Sequence, residues 1–226
     1  MPIKTVLIDI DDTILDFTRS ARAAILHSAK DMQIAFTEDM LEHYFQLNVM
    51  LWEDYENGEI KREDIFKQRF PRVFAEFNIN ADGLEFENKF QKYFQYEYVF
   101  VDGAKEILEY LAPKYDLYIV SNSTYKMQYC RLTTAGVCDY FKKIFVSDKI
   151  GHQKPTKEFF DCCFEQIPNF NPEETIIIGD SLTSDIKGGI MAGIKTCWLN
   201  TKDIKELRTI KPDYEIFSLE EIKNIL

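Results

Sequence analysis

No apolar run in this 226-residue chain approaches the ~18 residues of a membrane-crossing helix, so no membrane partner is expected. Met1-Pro2-Ile3-Lys4 leads straight into an apolar stretch and leaves no room for the charged and apolar regions of a secretory leader. Cysteine is sparse and unpatterned. Positions 130, 138, 162, 163 and 197 form no CxxC pair and are odd in number. Cys130, Cys162 and Cys197 fall in amphipathic or apolar stretches, where small buried thiols are common. A reduced, cytoplasmic compartment is the expectation. Positive charge is also short: 27 Lys and Arg stand against 38 Asp and Glu, for a net charge of −11. A nucleic-acid surface is thereby excluded as an expectation, and an anionic substrate would need a local positive site. The chain also lacks a repeat period, a low-complexity segment and a G-x-G-x-x-G nucleotide fingerprint.

What is present is an ordinary globular balance, 46% hydrophobic and 29% charged, with enough length for a full core. The most informative stretch is Val6-Leu7-Ile8-Asp9-Ile10-Asp11-Asp12-Thr13. Apolar β-formers without polar alternation predict a strand buried on both faces. Asp9 and Asp11 then sit at its C-terminal edge, where open α/β sheets bind ligands. Carboxylates gathered there call for a positive partner, of which a divalent metal is the commonest. An Asp-rich turn competes with this reading. A calcium loop does not, because Ile14 and Ser20 stand where its Gly and bidentate Glu belong. Asp12 or Thr13 can cap the next helix without excluding chemistry.

Helical spacing follows for roughly eighty residues. One pattern carries Phe17, Ala21, Ala24, Ile25, Ser28 and Met32. A second, capped by Thr37, carries Leu41, Tyr44, Phe45, Asn48, Leu51, Trp52 and Tyr55, and ends at Asn57-Gly58. A third runs from Arg62 to Phe77 with an interruption at Pro71, and a fourth from Leu84 to Tyr96. From Asp102 onward, helix and strand alternate. Strands are predicted at 116–120, 143–146, 175–178 and 195–199, with a short edge strand at 213–216 and a final helix at 219–226. Such alternation implies a parallel sheet with helices on both faces. The first strand has only these later strands to pair with. Residues 16–98 are therefore a helical insertion into a core of residues 1–15 and 99–226, springing from the active edge, where a lid can exclude water and select substrates.

Other strand ends bring more polar groups to that edge. Ser121-Asn122-Ser123-Thr124 offers a hydroxyl and backbone N–H groups to an anion, or simply caps a helix. Lys154, before Pro155, is a candidate cation, although most lysines are solvated. His152 has no His or Cys nearby and reads as an incidental loop residue. Gly179-Asp180-Ser181 and Asp185 close the fourth core strand, with helix capping as the alternative. Gly188 and Gly189 cost the next helix about 1 kcal/mol each relative to Ala, and close packing is the expected compensation. Each bland reading is reasonable alone. Their joint requirement, that carboxylates, hydroxyl and lysine meet at one edge by chance, is not.

Together these residues resemble the haloacid dehalogenase (HAD) superfamily along the whole chain. Asp9-x-Asp11-x-Thr13 is similar to its first motif, Ser121 to its second, Lys154-Pro155 to its third, and Gly179-Asp180-Ser181 with Asp185 to its fourth. The resemblance implies an α/β, Rossmann-like three-layer α/β/α core with a parallel sheet and an inserted α-helical cap. It implies a phosphomonoester hydrolase in which Asp9 attacks phosphorus and Asp11 acts as general acid and then base. Mg²⁺ would be held by Asp9, Asp180 and the backbone carbonyl of Asp11. Ser121 and Lys154 would hold the transferring oxygens, with Thr13 and Asn122 also in the substrate set. Asp185 would lie in the second layer, positioning Lys154 and water. Dehalogenase members lack the acid/base aspartate, so Asp11 favours phosphoryl transfer. The stretches from Asn48 to Ile60 and from Ser184 to Asn200 further resemble YjjG-type pyrimidine 5′-nucleotidases, which implies a nucleoside monophosphate substrate and nucleotide-pool cleaning. Asn48 interrupts an apolar stripe and needs partners, either a pyrimidine edge or a group within the cap. Trp52 is a stacking platform or core. The alternatives are a phosphatase of sugar phosphates or other phosphomonoesters, and a catalytically quiet binding protein on the same fold.

Overall fold

The apolar runs become one parallel sheet of β1 (Thr5–Ile8), β2 (Asp116–Ser121), β3 (Lys143–Val146), β4 (Thr175–Gly179), β5 (Lys195–Leu199) and β6 (Tyr214–Ile216), in the order β3-β2-β1-β4-β5-β6. β1 is central, pairing Leu7 with Tyr118 on one side and with Ile177 on the other. The absence of polar alternation has a direct cause. Val6 and Ile8 join Ile119, Ile176 and Ile178 in one apolar cluster, while Leu7 joins Val120, Phe145 and Ile177 in another. Both faces are covered, so Val6, Leu7 and Ile8 are apolar in succession. The chain builds β2 and β3 on one flank of β1 and then crosses to β4 on the other. The strand order reverses beside β1, and the crevice at such a reversal is where ligands of this architecture bind.

The computed structural model describes residues 2–201, 203–204 and 209–226 and divides into two units, Met1–Phe17 with Tyr98–Leu226, and Thr18–Glu97. Among the described residues no helix is long and apolar enough to cross a membrane. The helical unit contains most of α1 (Phe17–Asp31) with α2 (Glu38–Glu56), α3 (Arg62–Glu76) and α4 (Gly83–Phe94). Thr37 caps α2 by accepting from the Met40 N–H. Pro71 does not interrupt α3. Proline removes one helical hydrogen bond, and the helix is held through that point by packing: Phe70, Val73 and Phe74 are buried on either side of it. Phe70, Phe86 and Phe90 form a continuous aromatic core with Tyr44.

In the sheet unit the strands alternate with α5 (Ala104–Leu111), α6 (Tyr125–Thr134), α7 (Ser147–Ile150), α8 (Lys157–Phe164) and α9 (Lys187–Met191). The short α7 has no counterpart among the expected elements, since four residues carry too little periodicity to register. The predicted terminal helix is instead a 3-10 segment, Leu219–Asn224, whose Leu219 and Ile222 are buried. The chain passes from the sheet unit into the helical one and back along paired segments: the Asp16 N–H donates to Val99 O at 2.8 Å, and Leu15 bridges Phe100.

Candidate active site

Asp9 follows β1 directly, and its N–H still donates to Ile178 O at 3.0 Å, so the sheet fixes its backbone. Three residues on, Asp12 adopts a left-handed φ of 58° and its Oδ1 accepts from the Phe17 N–H at 2.9 Å. Asp12 thus ends the turn and caps α1. Thr13, fully buried, donates its hydroxyl toward Asp180 Oδ1 at 3.4 Å. It ties the first strand end to the fourth.

Lys154 is the centre of the cluster. Only 2% exposed, it donates to Asp9 Oδ1 and to Asp185 Oδ1, each at 2.6 Å, and to Val120 O at 2.9 Å. Its backbone is held by Asn122, whose Oδ1 accepts from Lys154 N at 2.8 Å and whose Nδ2 donates to Lys154 O at 3.0 Å. Both ends of the Asn122 amide are therefore engaged with the lysine loop. His152, two positions earlier, is exposed.

Asp185 arrives by an irregular route. The predicted regular helix from Ser184 begins as a π-turn over Leu182–Ile186, with the Ile186 N–H bonding Ser181 O at 3.1 Å. Such widened turns are frequent at functional sites. The turn swings the Asp185 carboxylate back against β4, where its Oδ2 accepts from Ser181 N at 3.2 Å. A Cβ on Gly179 would collide with that carboxylate, so glycine ends the strand there. The expected close packing of Gly188 and Gly189 is present too. A Cβ on the first would meet the Phe160 ring, and on the second Ile177 and Thr196.

Asp180 is anchored from behind by Trp198, whose indole N–H donates to Asp180 O at 2.7 Å. Ligand atoms of Asp9, Asp180 and Asp185 lie within 4.8 Å of one another. Hard carboxylate oxygens at that spacing fit a divalent cation of the magnesium type. The electrostatics agree. Burial pushes the Asp9 carboxyl up to about 8; Lys154 opposes the rise, and Asp185 and Asp11 add to it. Asp180 is also raised, by burial first and then by Asp9 and Asp185. Burial alone would lower the Lys154 pKa, but Asp185 and Asp9 more than reverse this and keep the ammonium charged.

Asp11 is gripped by two residues that sequence reasoning missed. Arg131 Nη1 donates to Asp11 Oδ1, and Gln128 Nε2 donates to Asp11 Oδ2 at 2.7 Å and to Ser121 Oγ at 3.0 Å. The available signal was their three-residue spacing on the helix that follows Ser121. Trp198 was expected only as a strand residue and as part of a resemblance. In the helical unit, Asn48 is buried and its Oδ1 accepts from Arg69 Nη1 at 3.0 Å. Trp52 is half-buried, with edge contacts to Tyr55 and Phe66.

Known proteins resemble this chain in sequence and fold. Residues 6–199 match the haloacid dehalogenase-like hydrolase family. The HAD-hydrolase YfnB of Bacillus subtilis (strain 168) is 42% identical, over 99% of this chain and 95% of its own. Its crystal structure, bound to magnesium, superposes with a TM-score of 0.95 over 100% of this chain and 99% of the other. The pyrimidine 5′-nucleotidase PynA of Streptococcus pneumoniae (strain ATCC BAA-255 / R6) is 34% identical over 99% of this chain and 97% of its own. For the pyrimidine 5′-nucleotidase YjjG of Escherichia coli (strain K12) the figures are 30%, 98% and 96%. The chain belongs to the haloacid dehalogenase-like hydrolases.

Proposed function

We propose that this hydrolase is a magnesium-dependent phosphatase whose preferred substrates are pyrimidine nucleoside 5′-monophosphates. The observation that carries the chemistry is the cluster of Asp9, Asp180 and Asp185, with a buried lysine paired to Asp9 and Asp185. The substrate class is supported by the two pyrimidine 5′-nucleotidases among its relatives. A reduced, cytoplasmic setting is part of the same reading, supported by five unpaired cysteines.

Asp9, Asp180 and the backbone carbonyl of Asp11 would hold the ion, which when bound offsets the repulsion between a carboxylate nucleophile and an anionic phosphate. An Asp9 oxygen attacks phosphorus and the bond from phosphorus to the ester oxygen breaks. Asp11 gives that departing oxygen its proton. Water then attacks the phosphorus of the Asp9 acyl phosphate and returns a proton to Asp11. The Asp9 oxygen–phosphorus bond breaks, releasing inorganic phosphate and the free carboxylate. Lys154 and the Ser121 hydroxyl hold the transferring oxygens. Asp185 and Asn122 keep Lys154 in place, and Thr13 orients Asp180. Within the helical unit, which we assign the role of substrate-selecting cap, Asn48 and Trp52 are the candidates for reading the base.

The test is phosphate release with Mg²⁺ from UMP, dUMP, dTMP, purine monophosphates and sugar phosphates. The expected result is faster turnover of the pyrimidine nucleotides. Preference for a sugar phosphate over all of them overturns the substrate assignment alone. No turnover of any phosphomonoester would leave a binding protein on this fold.

A further inference from the structure

We propose that Gln128 and Arg131 are positioning residues for Asp11, fixing the plane of its carboxyl group so that the proton reaches the leaving oxygen. The proposal rests on the reading of Asp11 as general acid and base. It begins with placement. Both side chains are wholly buried, while the Asp11 carboxyl they hold is 31% exposed. A guanidinium buried merely for stability gains little over an apolar side chain of similar size. A guanidinium buried behind a partly open carboxyl has a different use, because it holds that group from the protein side and leaves the other side free.

The contacts form a closed figure. Arg131 Nη1 donates both to Asp11 Oδ1 and to Gln128 Oε1, the latter at 3.2 Å. Gln128 Nε2 donates to Asp11 Oδ2 at 2.7 Å and to Ser121 Oγ at 3.0 Å. Each Asp11 oxygen accepts one N–H, and a carboxylate has about four acceptor sites. Two points of attachment therefore stop rotation while leaving lone pairs for the proton in transit. Gln128 also locks Ser121 to the same figure, so the hydroxyl that would hold phosphate and the acid that would protonate the ester share one support. α6 begins shortly after this serine, with Thr124 accepting from Met127 N at 3.3 Å. The helix cap thus sets the register of both positioning residues.

A misplacement of about 1 Å in a reacting group costs on the order of a hundredfold in rate. The experiment compares Arg131→Met, Arg131→Lys and Gln128→Leu with the parent and Asp11→Asn, all saturated with Mg²⁺. Substrates are UMP, glycerol 3-phosphate and p-nitrophenyl phosphate. The aryl oxide departs without a proton, whereas the alkyl oxygens need one. In the burst of leaving-group release that precedes steady state, which reads the first step alone, Arg131→Met is expected to slow the alkyl phosphates by about 10- to 100-fold and the aryl one hardly at all, while the later hydrolysis of the acyl phosphate slows alike for all substrates. Arg131→Lys restores part of the loss, since it keeps the charge without the planar fork. In the Asp11→Asn background, Arg131→Met adds nothing further. An equal fall in the alkyl and aryl burst rates, or a further loss in the Asp11→Asn background, overturns the positioning role. If Arg131→Met fails to fold, Arg131→Lys reads the same alkyl–aryl split; Gln128→Leu also frees Ser121 and is expected to slow both substrates, the alkyl ones more. Full alkyl turnover by Asp11→Asn alone would instead overturn the acid/base reading on which the proposal stands.

Discussion

The protein buries charge in two places, and the two are built on opposite principles. In the helical unit Arg69 donates to both oxygens of Glu87 at 2.8 and 2.7 Å and to Asn48 at 3.0 Å, with Gln91 also donating to Glu87. The guanidinium lies among the Tyr44, Phe66, Phe70 and Phe90 rings. One cation meets one anion. In the sheet unit Asp9, Asp11, Asp180 and Asp185 share two buried cations, Lys154 and Arg131. With all four carboxyls ionised, that leaves an excess of two negative charges. The Arg69–Glu87 pair of the first cluster is balanced in charge within the helical unit. The second cluster carries more negative than positive charge and fits a divalent cation; burial first, and then the neighbouring carboxylates, raise Asp9 and Asp180.

Substituting the same kind of group in each cluster should therefore change stability in opposite directions. Asp9→Asn removes the nucleophile, and turnover is expected to fall at least about a thousandfold in a phosphate-release assay. It also removes one of the crowded charges, so without Mg²⁺ the variant should melt no lower than the parent, as when strain is stored for function. Retained turnover would show that another group attacks phosphorus. Glu87→Gln, by contrast, leaves Arg69 buried without its anion. A loss of about 3–5 kcal/mol in chemical denaturation is expected. A neutral result would mean that the cluster is no more balanced than the other.

Between these lies the effect of the ion itself. Asp9 is raised to about 8 from an unfolded value near 3.9. Over that interval the folded state binds more protons than the unfolded one, so stability without metal falls as pH rises. Mg²⁺ needs the deprotonated carboxyls, so its stabilisation should grow in the same direction. At a hundred times its dissociation constant the gain is about 2.7 kcal/mol. Melting curves with and without Mg²⁺ at about pH 5.5 and pH 8 check the sign. A larger gain at the lower pH would show that the cluster is already ionised without metal.

How much of this could be read from sequence follows from what each signal depends on. The β1 stretch, Lys154, Asp180 and Asp185 were legible because alternation of strands and helices brings strand ends together without any knowledge of side chains. Support groups were not. Gln128, Arg131 and Trp198 act through hydrogen bonds to residues distant in the chain, and beyond the three-residue spacing of the first two nothing local distinguishes them from surface or core residues. Thr13 and Asn122 were legible as polar groups at the right edge, but their partners, Asp180 and the Lys154 backbone, depend on three-dimensional register. Pro71 misleads, because a local rule for helix breaking is weaker than the packing of Phe70 and Phe74 around it. The π-turn at Asp185 was invisible, since one extra residue in a turn leaves hydrophobic spacing nearly unchanged.

The smallest expected effect tests how completely the balanced cluster is satisfied. Tyr44 stacks on Phe70 with ring centroids 4.8 Å apart and an interplanar angle of 17°. Its hydroxyl is buried and has no hydrogen-bond partner among the described residues, and burial raises its pKa so that it stays protonated. A buried hydroxyl without a partner costs about 1–3 kcal/mol of desolvation. Removing it keeps the ring and deletes that cost. Tyr44→Phe should thus be neutral or stabilising by about 1 kcal/mol in denaturant unfolding, with Arg69 and Glu87 still paired. A loss of similar size would show that the hydroxyl has a role the pair of charges depends on, and that the helical cluster, like the one around Lys154, is not closed by its own residues.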